Sequence, residues 1–560
     1  MTRQGEKGAI SKPWGSVIPV ALVYPNSYRL GMGNLGFQFL YDQFNSDPRF
    51  SAERFFIPEA GSRGKQACID LLSEESARPL ANFRVIAFSV PFENDYPRVP
   101  GSLISAGIPP LSADRGPHHP LVIAGGVSVS MNPEPLAPFL DLAFIGELGK
   151  DSGPSDFLST LADAVQIPGT PTSNRSLLLN KFQGVPGVYV PSAYTFSFAQ
   201  DGLIREIHAK SGFPDHVKAV KRRSKKAAVP VSVLFSPEAE FGDSLLVEIN
   251  RGCGRGCRFC AAGWIHFPVR HTPFGTFREK IAQSVSEGRT VGLIGSDLAS
   301  HPELEEILAF IVGSGGKFSL SSIRPEGINP GIIRLIAKTG QKTATLAPET
   351  ASARMKKVIG KQIPSERFYE LIDLLVAAGV PHIRFYFMVG LPTETDDDAQ
   401  AIVDFALNSR KVFLDASRRL KRIGRISIQL NPFIPKPWTP FQWAAMEFPH
   451  IIEHRLKIVR NGLKKTPNLV VRTESVRQAI FQAFLSRGDR RIASTLLSIA
   501  LGEMSWNEVC KKGSRESDFY IHRERLPNEI FPWEVTDHGV PRETLRRHFV
   551  NALSDQNTCR

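Results

Sequence analysis

The stretch INRGCGRGCRFCAAGW, residues 249–264, places Cys253, Cys257 and Cys260 within eight residues, with no fourth cysteine nearby. It continues the apolar run SLLVEIN (244–250), which is typical of a buried strand. A structural zinc site takes four protein ligands, whereas a cubane iron-sulfur cluster held by three thiolates leaves one iron open to another ligand. The three thiols therefore indicate an iron-sulfur cluster with an open coordination site.

Two other interpretations of the cysteines exist. His266, six residues after Cys260, would complete a Cys3His zinc site. Alternatively, the three cysteines are ordinary buried thiols. Glycines at 252, 254 and 256 suit a loop that wraps closely around an inorganic centre, so the iron-sulfur interpretation is favoured.

The chain around this loop alternates strand and helix patterns. From 244 to 445, six apolar runs alternate with helical stretches, and this pattern predicts a partial TIM-type (β/α)6 barrel with its catalytic loops at the carboxyl ends of the strands. Residues 1–165 predict an open, mostly parallel, Rossmann-like α/β sheet. Residues 166–243 predict a connecting segment in which YTFSFAQDGLIREIHA (194–209) forms a β-hairpin. Residues 446–560 predict a helical C-terminal region.

Composition narrows the class of protein. Six cysteines in 560 residues, with Cys68, Cys510 and Cys559 isolated in sequence, predict no disulfide framework and favour a reducing cytoplasm. A net charge of +13 favours a polyanionic partner such as RNA. The apolar runs fall short of the ~20 residues that a membrane-spanning helix needs. VIPVALVY (17–24) lacks a following cleavage site and is interpreted as the first buried strand.

The CxxxCxxC pattern, with Phe259 before its last cysteine, resembles the radical S-adenosylmethionine (radical SAM) superfamily. The resemblance implies that the three cysteines hold a 4Fe-4S cluster whose open iron chelates S-adenosylmethionine (SAM). One electron then cleaves SAM to give a 5'-deoxyadenosyl radical. It also implies an electron donor such as flavodoxin or ferredoxin.

The resemblance extends to the ends of the later strands. GLIGSD (292–297) stands where the superfamily has a Gly-Gly-Glu motif for the amino group of SAM, and this departure leaves the amino-group contacts open. The resemblance implies SAM-binding roles for residues at four strand ends: Gly295, Ser296 and Asp297; Arg324; Glu349; and Gly390 with Glu394.

Each of these polar residues also has a structural alternative. Asp297 suits a helix cap, and Arg324 and Glu349 suit structural ion pairs. The run NPFIPKPWTPFQW (431–443) resembles a segment of radical enzymes related to methylthiotransferases, although its Phe433 and Trp438 suit core packing equally well.

The front domain resembles the cobalamin-binding domain of some radical enzymes, whose DxHxxG loop supplies a histidine to cobalt. Here NSYRLG (26–31) keeps Gly31 but has Asn26 for the aspartate and Tyr28 for the histidine. Ser89 and the Gly125-Gly126 pair resemble the rest of the pattern. Tyrosine is a poor replacement for imidazole. Either cobalamin binds without a protein ligand or the domain has lost the cofactor, and we favour the second interpretation.

Taken with LAPETASARMKKVIGK (346–361) and LSRGDRR (485–491), the degenerate front domain resembles a group of bacterial radical SAM proteins over almost the whole chain. Three hypotheses for function follow. The first is a radical SAM enzyme acting on RNA or another polyanion, with KRRSKK (221–226) and the cations Arg418, Arg419, Lys421 and Arg422 as contacts. The second keeps the chemistry but acts on a small molecule or lipid precursor, with the front domain as a lid. The third is a non-enzymatic zinc module that binds nucleic acid.

Overall fold

The apolar run predicted as the first strand lies in the middle of a parallel sheet. The computed structural model describes residues 3–58, 71–149, 157–165, 175–222, 229–320, 324–420, 423–510 and 518–554. All seven residues of β1 (Ile18–Tyr24) are buried, as are all seven of β2 (Phe50–Phe56). Strands buried on both faces are typical of a parallel sheet covered by helices.

Contacts divide the chain into two compact units. The first comprises residues 1–243, 484–511 and 526–539, and the second comprises 244–483, 512–525 and 540–560. The sheet of the first unit has the order β2-β1-β3-β4-β5-β6, parallel except for the antiparallel edge strand β6. The other strands of this sheet are β3 (Val85–Ser89), β4 (Leu121–Gly125), β5 (Leu142–Phe144) and β6 (Val188–Tyr189). Outside this sheet, the first unit contains β7 (Tyr194–Phe198), β8 (Ile204–Ala209) and β9 (Val217–Lys218).

The helices of the first unit flank this sheet or follow it in sequence. They are α1 (Tyr28–Met32), α2 (Leu35–Asn45), α3 (Arg98–Ser105), α4 (Val127–Met131), α5 (Phe157–Val165) and α6 (Arg175–Asn180). The predicted hairpin forms, because β7 pairs antiparallel with β8. Edge strand β6 comes from the segment predicted as a connection, so part of 166–243 completes the parallel sheet.

Among the described residues, the second unit carries eight strands, of which seven are parallel. They form two four-stranded sheets, ordered β11-β10-β12-β13 and β14-β15-β16-β17, in which β11 alone is antiparallel. The strands are β10 (Leu245–Arg251), β11 (Arg270–His271), β12 (Thr290–Gly295), β13 (Lys317–Leu320), β14 (Thr343–Glu349), β15 (His382–Val389), β16 (Arg425–Pro432) and β17 (Leu469–Thr473).

Helices alternate with these strands. They are α7 (Ala262–Ile265), α8 (Arg278–Ser286), α9 (Leu304–Gly313), α10 (Pro330–Lys338), α11 (Ala353–Val358), α12 (Ser365–Ala377), α13 (Asp396–Arg419) and α14 (Pro449–Leu463). The α/β class, with parallel sheets and a helical C-terminal region, is confirmed.

The C-terminal region differs from the predicted single segment 446–560. It contains a further parallel strand, β17, which pairs with β16, and its later residues are shared between the two units. Its elements after β17 are α15 (Val476–Arg487), α16 (Ala493–Leu501), α17 (Trp506–Val509), a π-helical turn (Asp518–His522), β18 (Thr536–Asp537) and α18 (Arg542–Ser554). Strand β18 pairs with β9 of the first unit. No helix in the described part of the chain is long and apolar enough to cross a bilayer.

Candidate active site

The cysteine loop leaves the carboxyl end of β10 through a glycine that no other residue can replace without strain. Gly252 has a φ of +82°, and a Cβ at this position would lie 2.4 Å from the carbonyl oxygen of His266. Trp264, in α7, donates from Nε1 to the carbonyl oxygen of Cys257 at 3.1 Å. The strand, the glycine and α7 therefore fix the path of the loop that carries the three thiols.

The three thiols lie close enough to influence one another electrostatically. Cys257 is buried, Cys253 and Cys260 are half-buried, and all three are free of disulfides. Burial raises the pKa of Cys257, although the charges of Lys361 and Arg324 oppose this rise. Burial and the neighbouring thiols also raise the pKa of Cys260. Nearby positive charge is the environment in which buried thiols become thiolate ligands.

Cys253, Cys257 and Cys260 are the donors that both metal hypotheses share. Within the described ranges, no three or more His, Cys, Asp or Glu side chains are arranged to hold a metal ion. Three neighbouring thiols suit a polynuclear cluster, in which each thiolate binds a different iron.

At the end of β12, the side chain of Asp297 points towards the cysteine loop. Its Oδ2 accepts from Nε of Arg255 at 2.9 Å and lies 4.0 Å from the sulfur of Cys253. Its Oδ1 is buried and has no hydrogen-bond partner in the described part of the protein. An unpartnered buried carboxylate oxygen is costly, and a cationic group such as the amino group of SAM would relieve that cost.

The two residues before Asp297, Gly295 and Ser296, differ in how much space surrounds them. A Cβ on Gly295 would lie 1.8 Å from Oδ1 of Asn250, so only glycine fits there. Ser296 is exposed. Asp297 makes no side-chain capping bond to the 3-10 turn Leu298–Ser300, so the helix-cap alternative is wrong.

Arg324 follows residues 321–323, which lie outside the described ranges. Its Nη2 lies 3.3 Å from Oε1 of Glu326, and its positive charge opposes the rise that burial causes in the pKa of Cys257. The side chain is 18% exposed. Arg324 therefore combines the structural ion pair with a position beside the thiols, where an anionic carboxylate would also be attracted.

Glu349 ends β14 in an unusual backbone conformation. Its φ is +69°, and the register between β14 and β15 shifts between Leu346 and Glu349. Its Oε1 accepts from Nζ of Lys361 at 3.0 Å, and the two side chains are 16% and 7% exposed. In the described residues, Oε2 receives no hydrogen bond. The ion-pair alternative for Glu349 is thus realised, with one carboxylate oxygen remaining for a ligand.

The loop after β15 is organised by a buried carboxylate. Glu394 accepts from the backbone N–H of Gly390 at 2.6 Å and lies 3.3 Å from Nη1 of Arg455. Nη1 of Arg455 also lies 3.6 Å from Oε2 of Glu447, and its Nε lies 3.5 Å from Oδ1 of Asp396. The guanidinium charge is therefore shared among three carboxylates. Burial raises the pKa of Glu394 to about 7. Gly390 has a φ of +87°, which a side chain would strain.

The predicted aromatic residues divide into two groups. Phe259 is half-buried beside Cys260 in sequence. Phe433 and Trp438 are 2% and 8% exposed, and Phe433 stacks edge-on against Phe441 at 5.6 Å. Both therefore pack in the core of the second unit.

In the first unit, the strand order places a topological switch point between β1 and β3, where sheets of this kind bind ligands. Asn26, after β1, donates from Nδ2 to Oδ1 of Asp95 at 2.8 Å. Gly126, after β4, has a φ of +113°, and a Cβ there would lie 2.4 Å from the carbonyl oxygen of Val90. Internal packing therefore accounts for Gly126 without a ligand.

Tyr28 is engaged with the N-terminal segment of the chain. Its hydroxyl donates to Oε2 of Glu6, and the guanidinium of Arg3 lies 3.8 Å from the ring centroid. Burial and the hydrogen bond to Glu6 raise the pKa of Tyr28, which disfavours the metal-binding phenolate. The residues at this position therefore do not fit the role of a cobalt ligand.

Sequence reasoning missed two cations of the site. Arg255 lies inside the cysteine motif, and its partner Asp297 is 42 residues away. Lys361 is the last residue of the quoted segment 346–361, where Gly360 marks the end of a helix but does not show which lysine turns inward. Of the predicted basic contacts, residues 223–226, Lys421 and Arg422 lie outside the described ranges, as do Cys68 and Cys559.

Comparisons with known proteins match two segments of the chain to family models. Residues 36–191 match the family model described as radical SAM proteins, N-terminal, and residues 247–406 match that of the radical SAM superfamily. An uncharacterized protein of Methanocaldococcus jannaschii is 27% identical over 481 residues, which cover 85% of this chain and 90% of the relative.

Two characterised relatives match a smaller part. The ribosomal protein uS12 methylthiotransferase RimO of Thermodesulfovibrio yellowstonii is 25% identical over 42% of this chain. The dual-specificity RNA methyltransferase RlmN of Rhizorhabdus wittichii is 26% identical over 38%. The matches span 58% and 54% of these enzymes.

Among solved structures, the radical SAM methyltransferase TsrM of Kitasatospora setae, determined with cobalamin and a 4Fe-4S cluster, aligns with a TM-score of 0.52. The alignment has 12% identity and covers 87% of this chain and all of TsrM. At that identity the likeness concerns the fold.

Proposed function

Because this chain is a radical SAM protein, we propose that Cys253, Cys257 and Cys260 hold the 4Fe-4S cluster and that the neighbouring strand ends bind SAM. When bound, the cluster supplies the electron that cleaves SAM to methionine and a 5'-deoxyadenosyl radical. One observation carries the proposal. The three thiols interact electrostatically, and Asp297, whose buried Oδ1 has no hydrogen-bond partner in the described residues, lies 4.0 Å from the sulfur of Cys253.

The side chains around the thiols would divide the recognition of SAM among them. Asp297, with its buried Oδ1, suits the amino group of the methionine moiety. Arg324, beside Cys257, suits the carboxylate. Glu349 offers Oε2 to the ribose hydroxyls while Lys361 holds Oε1. Charge-assisted hydrogen bonds of this kind are among the strongest that a binding site provides.

The loop after β15 would accept the adenine through its backbone. Gly390 and Glu394 fix that loop by the 2.6 Å hydrogen bond between them. The absence of a Cβ at Gly390 allows close approach of a flat ring. Phe259 would line the same site.

For the target, we favour RNA or another polyanion. The support is the net charge of +13 and the RNA-modifying relative RlmN. Of the predicted basic contacts, Arg418 pairs with Asp415 and Arg419 with Asp373 on the surface of the second unit. Free cysteines among the described residues and the reducing requirement of a 4Fe-4S cluster favour the cytoplasm. A flavodoxin or ferredoxin would supply the electron.

Two experiments test these proposals separately. Anaerobically purified protein is expected to be brown and to contain iron and sulfide, whereas a colourless protein with one equivalent of zinc would refute the cluster. If phosphates are contacted, the logarithm of the RNA association constant, measured by fluorescence anisotropy, should fall linearly with the logarithm of salt concentration. Affinity that does not respond to salt would favour the alternative of a small molecule or lipid precursor.

A further inference from the structure

Lys361 lies at a turn that joins the cysteine loop to Glu349. Helix α11 begins three residues after Thr350 and ends at Val358, and Gly360 then adopts a φ of +69°. The backbone N–H of Lys361 donates to the carbonyl oxygen of Lys356 at 2.9 Å, which closes the helix in a Schellman motif. The turn therefore fixes the backbone from which the Lys361 side chain projects.

The cysteine loop docks on this same turn. The backbone N–H of Arg258 donates to the carbonyl oxygen of Ile359 at 2.9 Å, and its Nη1 donates to the carbonyl oxygens of Lys357 and Val358 at 2.7 and 3.0 Å. A residue between two of the cysteines thus caps the carboxyl end of α11. The turn and the thiols are consequently held in one piece of structure.

The Lys361 ammonium points back into the site. It donates to the carbonyl oxygen of Ala347 at 2.6 Å and to Oε1 of Glu349 at 3.0 Å, and it is 7% exposed. These two bonds span the bulge that places Glu349 in the left-handed region. A glutamate in the left-handed region is strained, and the surrounding contacts must offset that strain.

We propose that Lys361 is a positioning residue that holds the Glu349 carboxylate for SAM and, on the turn to which Arg258 of the cysteine loop is bonded, places a positive charge near the cluster that would raise its reduction potential. The proposal rests on the function proposed above. A buried positive charge favours the more negative, reduced form of a neighbouring centre. The three hydrogen bonds from Arg258 to the turn hold the Lys361 backbone next to the cysteine loop, and the burial of the ammonium limits the screening of its charge by solvent.

The test compares Lys361→Met with Lys361→Arg and with Lys356→Met in anaerobically loaded protein. Lys356 is a matched control: it is a buried lysine of α11, five residues before Lys361 and 8% exposed, whose ammonium donates to Oγ of Ser365 at 2.8 Å. The midpoint potential of the cluster is measured by redox titration followed by electron paramagnetic resonance. SAM affinity is measured by calorimetry.

Lys361→Met is expected to lower the equilibrium constant for one-electron reduction about tenfold, a shift of about 59 mV to lower potential, and to weaken SAM binding about tenfold. Lys361→Arg and Lys356→Met should match the wild type in potential. If Lys361→Met does not retain its cluster, Glu349→Gln provides the test instead. This variant keeps the Lys361 ammonium but removes the negative charge of its partner, so the midpoint potential of the cluster should rise.

Unchanged potentials in both Lys361→Met and Glu349→Gln would overturn the proposal, as would an equal shift in Lys356→Met. These outcomes require that the wild type holds a cluster. A wild-type protein without iron and sulfide would instead refute the proposed function itself.

Discussion

Replacing Glu349 with glutamine isolates the contribution of one carboxylate to SAM binding. The substitution keeps the shape of the side chain but removes the negative charge and replaces one acceptor oxygen with a donor NH2 group. The side chain is 16% exposed and its Oε1 is held by Lys361, so Oε2 is presented in a fixed position within a largely desolvated site. The cysteines are untouched, and the cluster should remain.

The expected magnitude follows from that environment. Charge-assisted hydrogen bonds from the ribose hydroxyls to a desolvated carboxylate contribute about 1.5 to 3 kcal/mol. Since 1.4 kcal/mol corresponds to a tenfold change in Kd, SAM affinity should fall about tenfold to a hundredfold.

The assay is anaerobic calorimetry of SAM binding to cluster-loaded protein, with iron and sulfide determined on the same samples. Glu248→Gln is the matched control, because Glu248 lies on β10 of the same unit, is 15% exposed and forms an ion pair with Arg251 at 2.7 Å. Both variants lose an ion pair, but only Glu349→Gln should lose SAM affinity. An unchanged Kd with an intact cluster would refute the reasoning and leave Glu349 as a structural partner of Lys361.

Three further predictions concern other parts of the chain. Alanine at any one of the three motif cysteines should abolish retention of iron and cleavage of SAM, while Cys510→Ala keeps full iron content in the same assay; loss of iron from Cys510→Ala would place the cluster elsewhere. Burial raises the pKa of Glu394 to about 7, so the folded protein keeps this proton to a higher pH than the unfolded chain does. The free energy of unfolding should therefore decrease by up to about 1.4 kcal/mol per pH unit as pH rises from about 4.5 to 7, and urea titrations of Glu394→Gln should lack this contribution; an identical pH profile would contradict it. Cobalamin added to the protein should show no nitrogen coordination from a protein histidine by electron paramagnetic resonance, because Tyr28 donates to Glu6; such a signal would refute the interpretation of the front domain.

The sequence predicted those features that are local in the chain. The apolar runs, the hairpin with its Asp-Gly turn and the cysteine loop after a strand each depend on a few consecutive residues. The sequence shows glycines at 252 and 295 but not why glycine is required. At Gly252 the cause is the backbone of His266, 14 residues later, and at Gly295 it is the side chain of Asn250, 45 residues earlier. The pattern locates such glycines without explaining them.

The sequence could not predict which side chains far apart in the chain would pair with each other. Asp297 suits a helix cap on local grounds, yet the fold brings Arg255 to its carboxylate and leaves the cap unformed. Glu349 and Lys361 are joined only because α11 returns the chain to the end of β14. Strand β17 was missed because it is short and half-exposed between two helices, which gives it no continuous apolar signal.

The central claim is that the three cysteines support reductive cleavage of SAM. The most direct test supplies anaerobically loaded protein with dithionite and SAM and measures 5'-deoxyadenosine, methionine and S-adenosylhomocysteine by mass spectrometry. We predict equimolar 5'-deoxyadenosine and methionine from the wild type and neither from Cys257→Ala. A wild-type protein that holds its full cluster and binds SAM, yet forms no 5'-deoxyadenosine under these conditions, would contradict the account.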